Sequence, residues 1–116
     1  MDVLQVFNER EELTKALSES YSHLWKKGQE SAQAEHDYKV ANAIEIFRLH
    51  TEQKVAWTTC QTLAHGEIKV ADLRLARDLA QVQYSVMGEK IQGLKLQLRL
   101  VESQIERDWS QSKRGV

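Results

Sequence analysis

Apolar residues along most of this chain recur at alternating intervals of four and three residues, the spacing of one helical face. In the N-terminal part they are Leu13, Leu17, Tyr21 and Leu24. The same spacing resumes after Gly28, a residue that either ends a helix or is tolerated inside one. The pattern predicts a first helix over about residues 9–50, with at most a kink at Gly28. The apolar segment from Asp2 to Phe7 either extends this helix or folds back as a short arm.

Two capping boxes predict helix starts, because in each a side chain is placed to bond the first free backbone N–H groups. The two pairs are Asn8 with Glu11 and Thr58 with Gln61. Gly66 follows the second box closely, and a glycine commonly ends a helix at such a place. A short helix over about residues 58–65 is therefore predicted after the break near residues 50–57.

A second long helix is predicted over about residues 67–110, with a frayed tail at 111–116. Its clearest signal is a seam of 3.5-residue period, typical of coiled-coil packing: Met87, Ile91, Leu94, Leu98, Val101 and Ile105. A second stripe lies on a rotated face: Leu75, Leu79, Val82 and Val86. A helix that is apolar over so wide an arc is expected to be contacted on two sides.

These elements predict an all-α protein of one domain, 1–116, in which two long helices form an antiparallel hairpin or coiled coil. Each long helix of about 40 residues spans roughly 60 Å. A lone hairpin cannot bury both stripes of the last helix. Either the early segment folds back to make a bundle or two chains pair, and we expect a homodimer.

Composition supports the all-α prediction, since proline is absent and only five glycines are present. Without proline and with little glycine, the turns of a β-rich fold have few residues to form them. No apolar run resembles a signal peptide or a membrane span, and the single cysteine, Cys60, fits a reducing compartment. We therefore expect a cytoplasmic protein with no membrane partner.

Candidate chemistry is sparse. The four histidines, at positions 23, 36, 50 and 65, lie far apart and form no Glu-x-x-His pair, which disfavours a metal site. Cys60 and His65 are five residues apart, a spacing that turns their side chains away from each other on a helix; a buried, apolar Cys60 is expected. Gly88 and Gly93 lie within the long helix and predict close approach of a neighbouring helix, or a slight bend. No enzyme activity and no cofactor are expected.

Two sets of residues are candidates for binding another protein. Aromatic anchors are enriched at interfaces, and Trp57 and Trp109 are equally consistent with an interface or with capping the core, whereas Trp25 is expected in the core. Lys95 and Arg99 share one helical face that is expected to be exposed.

Nucleic-acid binding is the alternative function. The short helix, the turn at Gly66 and the following helix have the outline of a helix-turn-helix, in which Lys69, Arg74 and Arg77 would contact DNA. Nearby acidic residues dilute this charge, and the net charge of the chain is −1. A dedicated DNA-binding domain is usually strongly basic.

Several short segments resemble a family of small phage and prophage proteins from Gram-positive bacteria. The similarity covers roughly Leu13 to Trp109. Its residues are Gly28, Ala34, Tyr38, the run Leu63-Ala64-His65-Gly66-Glu67, Leu73-Arg74, Arg77-Asp78, Ala80, Tyr84, Lys95 and Ile105-Glu106-Arg107-Asp108-Trp109. The chain departs from the family at Lys54-Val55-Ala56, where relatives often have glycine or proline.

The resemblance implies a helical, non-enzymatic early phage protein, often encoded near replication or recombination genes. It implies no catalytic or binding residues. The leading hypothesis is an interaction protein that binds a host or phage protein of DNA metabolism or host defence. The alternatives are an accessory nucleic-acid binder of replication or recombination and a structural coiled-coil component.

Overall fold

The computed structural model describes residues 2–114 and contains no strand in that range. Its three helices are α1 (Val3–Glu52), α2 (Trp57–His65) and α3 (Ile68–Arg114). The all-α prediction, with two long helices that pack together, is confirmed. The contacts divide the chain into two compact units, while the prediction of a single domain stays a prediction. The terminal unit combines α1 up to residue 25 with α3 from residue 86, and the turn unit comprises residues 26–85.

The turn unit is an antiparallel helical hairpin closed by α2. Contacts between α1 and α3 pair rising with falling residue numbers: Lys27 with Gln83, and Glu35 with Arg77. Its apolar core contains Leu49, Cys60 and Ala64, with Ile46 and Val55 packed against them. The thiol of Cys60 is fully buried and lies 3.5 Å from the Val55 carbonyl oxygen, which confirms the predicted buried cysteine.

In the terminal unit, the predicted seam of α3 is the side that is covered. Ile91 is buried and its seam neighbours Met87, Leu94, Leu98, Val101 and Ile105 are half-buried. From α1 this unit buries Val6 and Ser20. The 3.5-residue period therefore identified the face of this helix that packs against the rest of its unit.

The segment from Val3 to Phe7 extends α1 and does not fold back as an arm, so the cap predicted at Asn8 is not the start of the helix. The helix begins at Val3 instead of about residue 9, so Asn8 lies inside it and the predicted capping box is wrong. The Asp2 carboxylate instead accepts a hydrogen bond from the Leu4 N–H, at 3.3 Å. Burial of Val6 favours the helical conformation of the residues before Asn8, because it removes an apolar side chain from water. The helix also runs without interruption through Gly28.

The second capping box is wrong as well. The N-cap of α2 is Ala56, whose carbonyl accepts the N–H groups of Thr59 and Cys60, so the helix starts before Thr58. Gly66 ends α2 as predicted, although its φ of −88° is one that any residue adopts. At the start of α3 the Glu67 carboxylate accepts the Val70 N–H at 2.9 Å, which satisfies one of the free donors there.

The last helix continues to Arg114, so residues 111–114 of the predicted frayed tail are helical and the final two lie outside the described residues. Neither Gly88 nor Gly93 has a neighbouring atom within 4 Å of the position of an added Cβ, so the predicted close approach is wrong for both. The close contact is at Gly28, where an added Cβ would lie 3.2 Å from the Tyr84 ring.

Candidate protein-interaction surfaces

The second stripe of α3 is uncovered. We call Leu75, Leu79, Val82 and Val86 the outer α3 stripe; each side chain is between 54% and 58% exposed. Each stripe residue follows an inward-facing or packing position by two residues, which is about 200° of rotation around a helix. In the turn unit, Leu75, Leu79 and Val82 therefore face away from its packed positions Leu73, Arg77 and Ala80, while Val86 belongs to the terminal unit. The predicted second contact is not made within the described chain.

A similar surface is present on α1 within the turn unit. Val40, Ile44 and Phe47, which we call the outer α1 stripe, are separated by four and three residues and are 44%, 64% and 63% exposed. Val40 and Phe47 are two and nine residues after the buried Tyr38, which is about half a turn around the helix in each case. The stripe therefore faces away from the core of the unit. Contiguous apolar side chains at coiled-coil spacing, left in water, are typical of a surface that binds another protein.

Trp57 is the first residue of α2, directly after the turn that follows α1, and is about half exposed. Its ring stacks on that of His50 with a centroid distance of 3.6 Å and an interplanar angle of 19°. His50 is fixed in turn, since its Nδ1 lies 2.8 Å from the Val55 carbonyl oxygen and donates to it. This support holds the indole in one orientation, which lowers the entropy lost when a partner covers it.

Trp109 lies at the other end of the chain, in the terminal unit, and is 68% exposed. It borders a largely apolar cavity of about 220 Å³. The other residues that line this cavity are Val3, Val6, Phe7, Ile105, Asp108 and Ser112. Trp25 is 71% exposed, so its expected place in the core is wrong.

The predicted pair of exposed cations on α3 is only partly free. Arg99 is exposed, whereas Lys95 is half-buried and its ammonium lies 5.6 Å from the centroid of the Tyr21 ring. A cation in that position is attracted to the negative face of the ring. Lys95 therefore contributes to packing within the terminal unit, and Arg99 alone is presented to solvent.

The three basic residues of the nucleic-acid hypothesis are not equally available. Lys69 and Arg74 are exposed. Arg77 lies over the Tyr38 ring, at 4.4 Å from its centroid, and contacts Asp78 and Glu35 at 2.9 and 3.6 Å. The hydrogen bonds that Arg77 donates to the Asp78 carboxylate raise the pKa of Arg77, and desolvation of the guanidinium opposes this shift. Two free cations are a weak electrostatic footprint for DNA.

Sequence reasoning missed the polar contacts that join the three helices of the turn unit. The Tyr38 hydroxyl lies 3.1 Å from Nε2 of His65, which connects α1 with α2. Arg77 reaches Glu35 across the hairpin. The signal available was the position of Tyr38 on the packed face of α1, where a buried phenol usually needs a hydrogen-bond partner.

Within residues 2–114, His, Cys, Asp and Glu side chains do not gather in threes around a possible metal position. In the same range no helix has the length and apolarity needed to cross a membrane. Searches of known protein families, curated proteins and solved structures find no match to this chain. The phage resemblance and the activity it implies therefore remain expectations.

Proposed function

We propose that this is a non-enzymatic interaction protein that acts by covering the surface of another protein. The observation that carries the proposal is the exposure of two apolar helical stripes, one on α1 and one on α3, on sides that face away from the packed seams. Exposed leucine, isoleucine and phenylalanine at four- and three-residue spacing match the anchors of helix-on-helix and helix-in-groove binding. Their exposure in water is a cost that a partner would remove.

The partner we propose is a host or phage protein of DNA metabolism or host defence, and the place of action is the cytoplasm of a Gram-positive host. The resemblance to small phage and prophage proteins supports this setting. A homodimer that completes a helical bundle is part of the proposal, because one chain leaves the outer α3 stripe uncovered. Trp57, whose exposed ring is stacked on His50 at the start of α2, provides a further aromatic anchor in the turn unit.

Affinity capture tests the proposal. The tagged full-length chain is incubated with a Gram-positive lysate in two arms, one treated with nuclease, beside a tag-only control, and the retained proteins are identified by mass spectrometry. We expect one host protein to be retained in both arms. Enrichment that disappears with nuclease would instead favour the alternative, a nucleic-acid binder that uses Lys69 and Arg74.

A further inference from the structure

We propose that a cavity in the terminal unit binds a small organic cation, a compact hydrocarbon or aromatic group that carries one ammonium. The cavity lies between the first turns of α1 and the last turns of α3, and both segments belong to the terminal unit. No residue of the two outer stripes lines it. The site is therefore separate from the surfaces proposed to bind another protein.

Helical spacing places the lining residues on facing sides of the two helices. The helix α1 contributes three apolar residues at positions i, i+3 and i+4, and α3 contributes four residues from 105 to 112 at i, i+3, i+4 and i+7. Val6 is buried, whereas Val3, Phe7 and Trp109 are between 42% and 68% exposed. The cavity thus has a buried apolar side at Val6 and an opening bordered by two aromatic rings.

The volume of the cavity limits the size of its ligand. It is about 220 Å³, and its wall is largely apolar. An apolar cavity of about 150 Å³ holds one benzene molecule, so by proportion this one accommodates roughly nine non-hydrogen atoms. Apolar walls of this kind favour a hydrocarbon or aromatic group over a polar one.

The charge of the lining specifies a cation. Asp108 is the only ionisable residue among the described residues that line the cavity, and it is half-buried. Its Oδ1 accepts a hydrogen bond from Nε2 of Gln104 at 2.8 Å. Because the two oxygens of a carboxylate accept about four hydrogen bonds, Asp108 retains the capacity to bind an ammonium.

The aromatic rings at the opening also attract positive charge. The Arg10 guanidinium lies over the Phe7 ring, at 5.5 Å from its centroid. Trp109 is the second ring, and indole is the aromatic group that binds cations most strongly. A carboxylate and an indole in one apolar cavity form a site that favours a cationic ligand over a neutral or anionic ligand of the same size.

Nuclear magnetic resonance of the full chain tests this inference through the indole N–H signals of its three tryptophans, which Trp25→Phe and Trp57→Phe assign. The probes are 2-phenylethylammonium, the neutral 2-phenylethanol and the anion phenylacetate. We expect 2-phenylethylammonium to shift the Trp109 signal saturably and to leave the other two in place. It should bind about 10-fold more tightly than the alcohol, because its hydrogen bond to Asp108 joins two charged groups. Phenylacetate should bind more weakly than the alcohol.

Asp108→Asn should weaken binding of 2-phenylethylammonium about 10-fold and leave binding of 2-phenylethanol unchanged. Glu106→Gln is the matched control, since it removes the same charge two residues away, at an exposed position that does not line the cavity. It should leave both affinities unchanged.

Three results would overturn the proposal. The absence of a saturable shift at Trp109 would show that the cavity is only a water-filled gap between helix ends. Equal affinity for the ammonium and the alcohol would show that Asp108 does not select a cation. Loss of both ligands in Asp108→Asn would assign that residue a role in folding alone.

Discussion

At the residue scale, the turn after α1 depends on Lys54, whose φ of 58° places it in the left-handed region. An L-residue with a Cβ pays about 1 kcal/mol or more for that conformation, which glycine adopts freely. The surrounding contacts hold it there: the Leu49 carbonyl accepts the N–H groups of Gln53 and Val55, and His50 donates to the Val55 carbonyl.

Replacing Lys54 with glycine should therefore stabilise the fold. We expect Lys54→Gly to raise the free energy of unfolding by up to about 1 kcal/mol, because relief of the backbone strain exceeds the entropy that glycine adds to the unfolded chain. Urea unfolding followed by circular dichroism measures the change. Lys54→Ala is the control, since it removes the same exposed side chain and keeps the strain. An equal gain in both variants would show that the side chain, and not the φ angle, is responsible.

The Glu45–Arg48 pair predicts a pH dependence. The Glu45 carboxylate accepts two hydrogen bonds from Arg48, at 2.6 and 3.0 Å, and these hold the pKa of Glu45 below its ordinary value of 4.5. A carboxyl whose pKa is lower in the folded state stabilises the fold above its unfolded pKa. That contribution is lost as the pH falls through the folded pKa.

Denaturant unfolding of wild type and Glu45→Gln at several pH values checks this dependence. The wild type should be the more stable near pH 7, and the difference should shrink steadily below the ordinary pKa of 4.5. Arg48→Gln should show the same loss of pH dependence, because it removes the donor of both bonds. A difference between wild type and Glu45→Gln that is the same at acid and neutral pH would contradict the assignment.

At the element scale, the glycines of the long helices differ in what surrounds them. Glycine inside a helix costs about 1 kcal/mol relative to alanine, unless close packing requires it. Gly88 and Gly93 face open space, whereas Gly28 lies against the Tyr84 ring.

We expect Gly88→Ala and Gly93→Ala each to stabilise the protein by roughly 1 kcal/mol in chemical unfolding. Gly28→Ala should stabilise the protein less than these two substitutions. Its methyl group would lie 3.2 Å from Cε2 of Tyr84, so the half-exposed ring must shift by a few tenths of an ångström. Equal gains at all three positions would show that the Gly28 contact imposes no cost. A loss of stability at Gly93 would contradict the open space around it.

The existence of the three helices and the end of α2 at Gly66 were predictable from the sequence, while the caps that begin α1 and α2 were not. The 3.5-residue seam correctly identified the packed face of α3, because apolar periodicity reports directly on burial. The capping signals at Asn8 and Thr58 failed because both residue types are also tolerated inside helices. In α1, burial of Val6 favours a helix that begins before Asn8. The sequence also detected a second stripe on α3 and predicted a contact there, without indicating that this stripe is left uncovered. That distinction depends on the position of α1, which no local pattern specifies.

At the scale of the whole molecule, the uncovered apolar stripes are the feature that relates structure to function. They lie on α1 and α3 at coiled-coil spacing, and the exposed ring of Trp57 is stacked on His50 at the start of α2. Of the basic residues proposed to contact DNA, Lys69 and Arg74 are exposed, whereas Arg77 is paired with Glu35 and Asp78. The sequence suggested Trp57 as an anchor, but the outer α1 stripe became visible only when the packed face of that helix was known.

The outer α1 stripe should therefore be required for partner binding. The most direct test compares capture by the wild type with capture by Ile44→Glu/Phe47→Glu and by a control, Gln29→Glu/Ala32→Glu, which adds the same charge at exposed positions earlier in α1. Each chain is first shown to be folded by circular dichroism. We predict that the stripe variant loses the host protein that the wild type and the control retain. Equal retention by all three chains would contradict the claim that this protein acts through its exposed helical stripe.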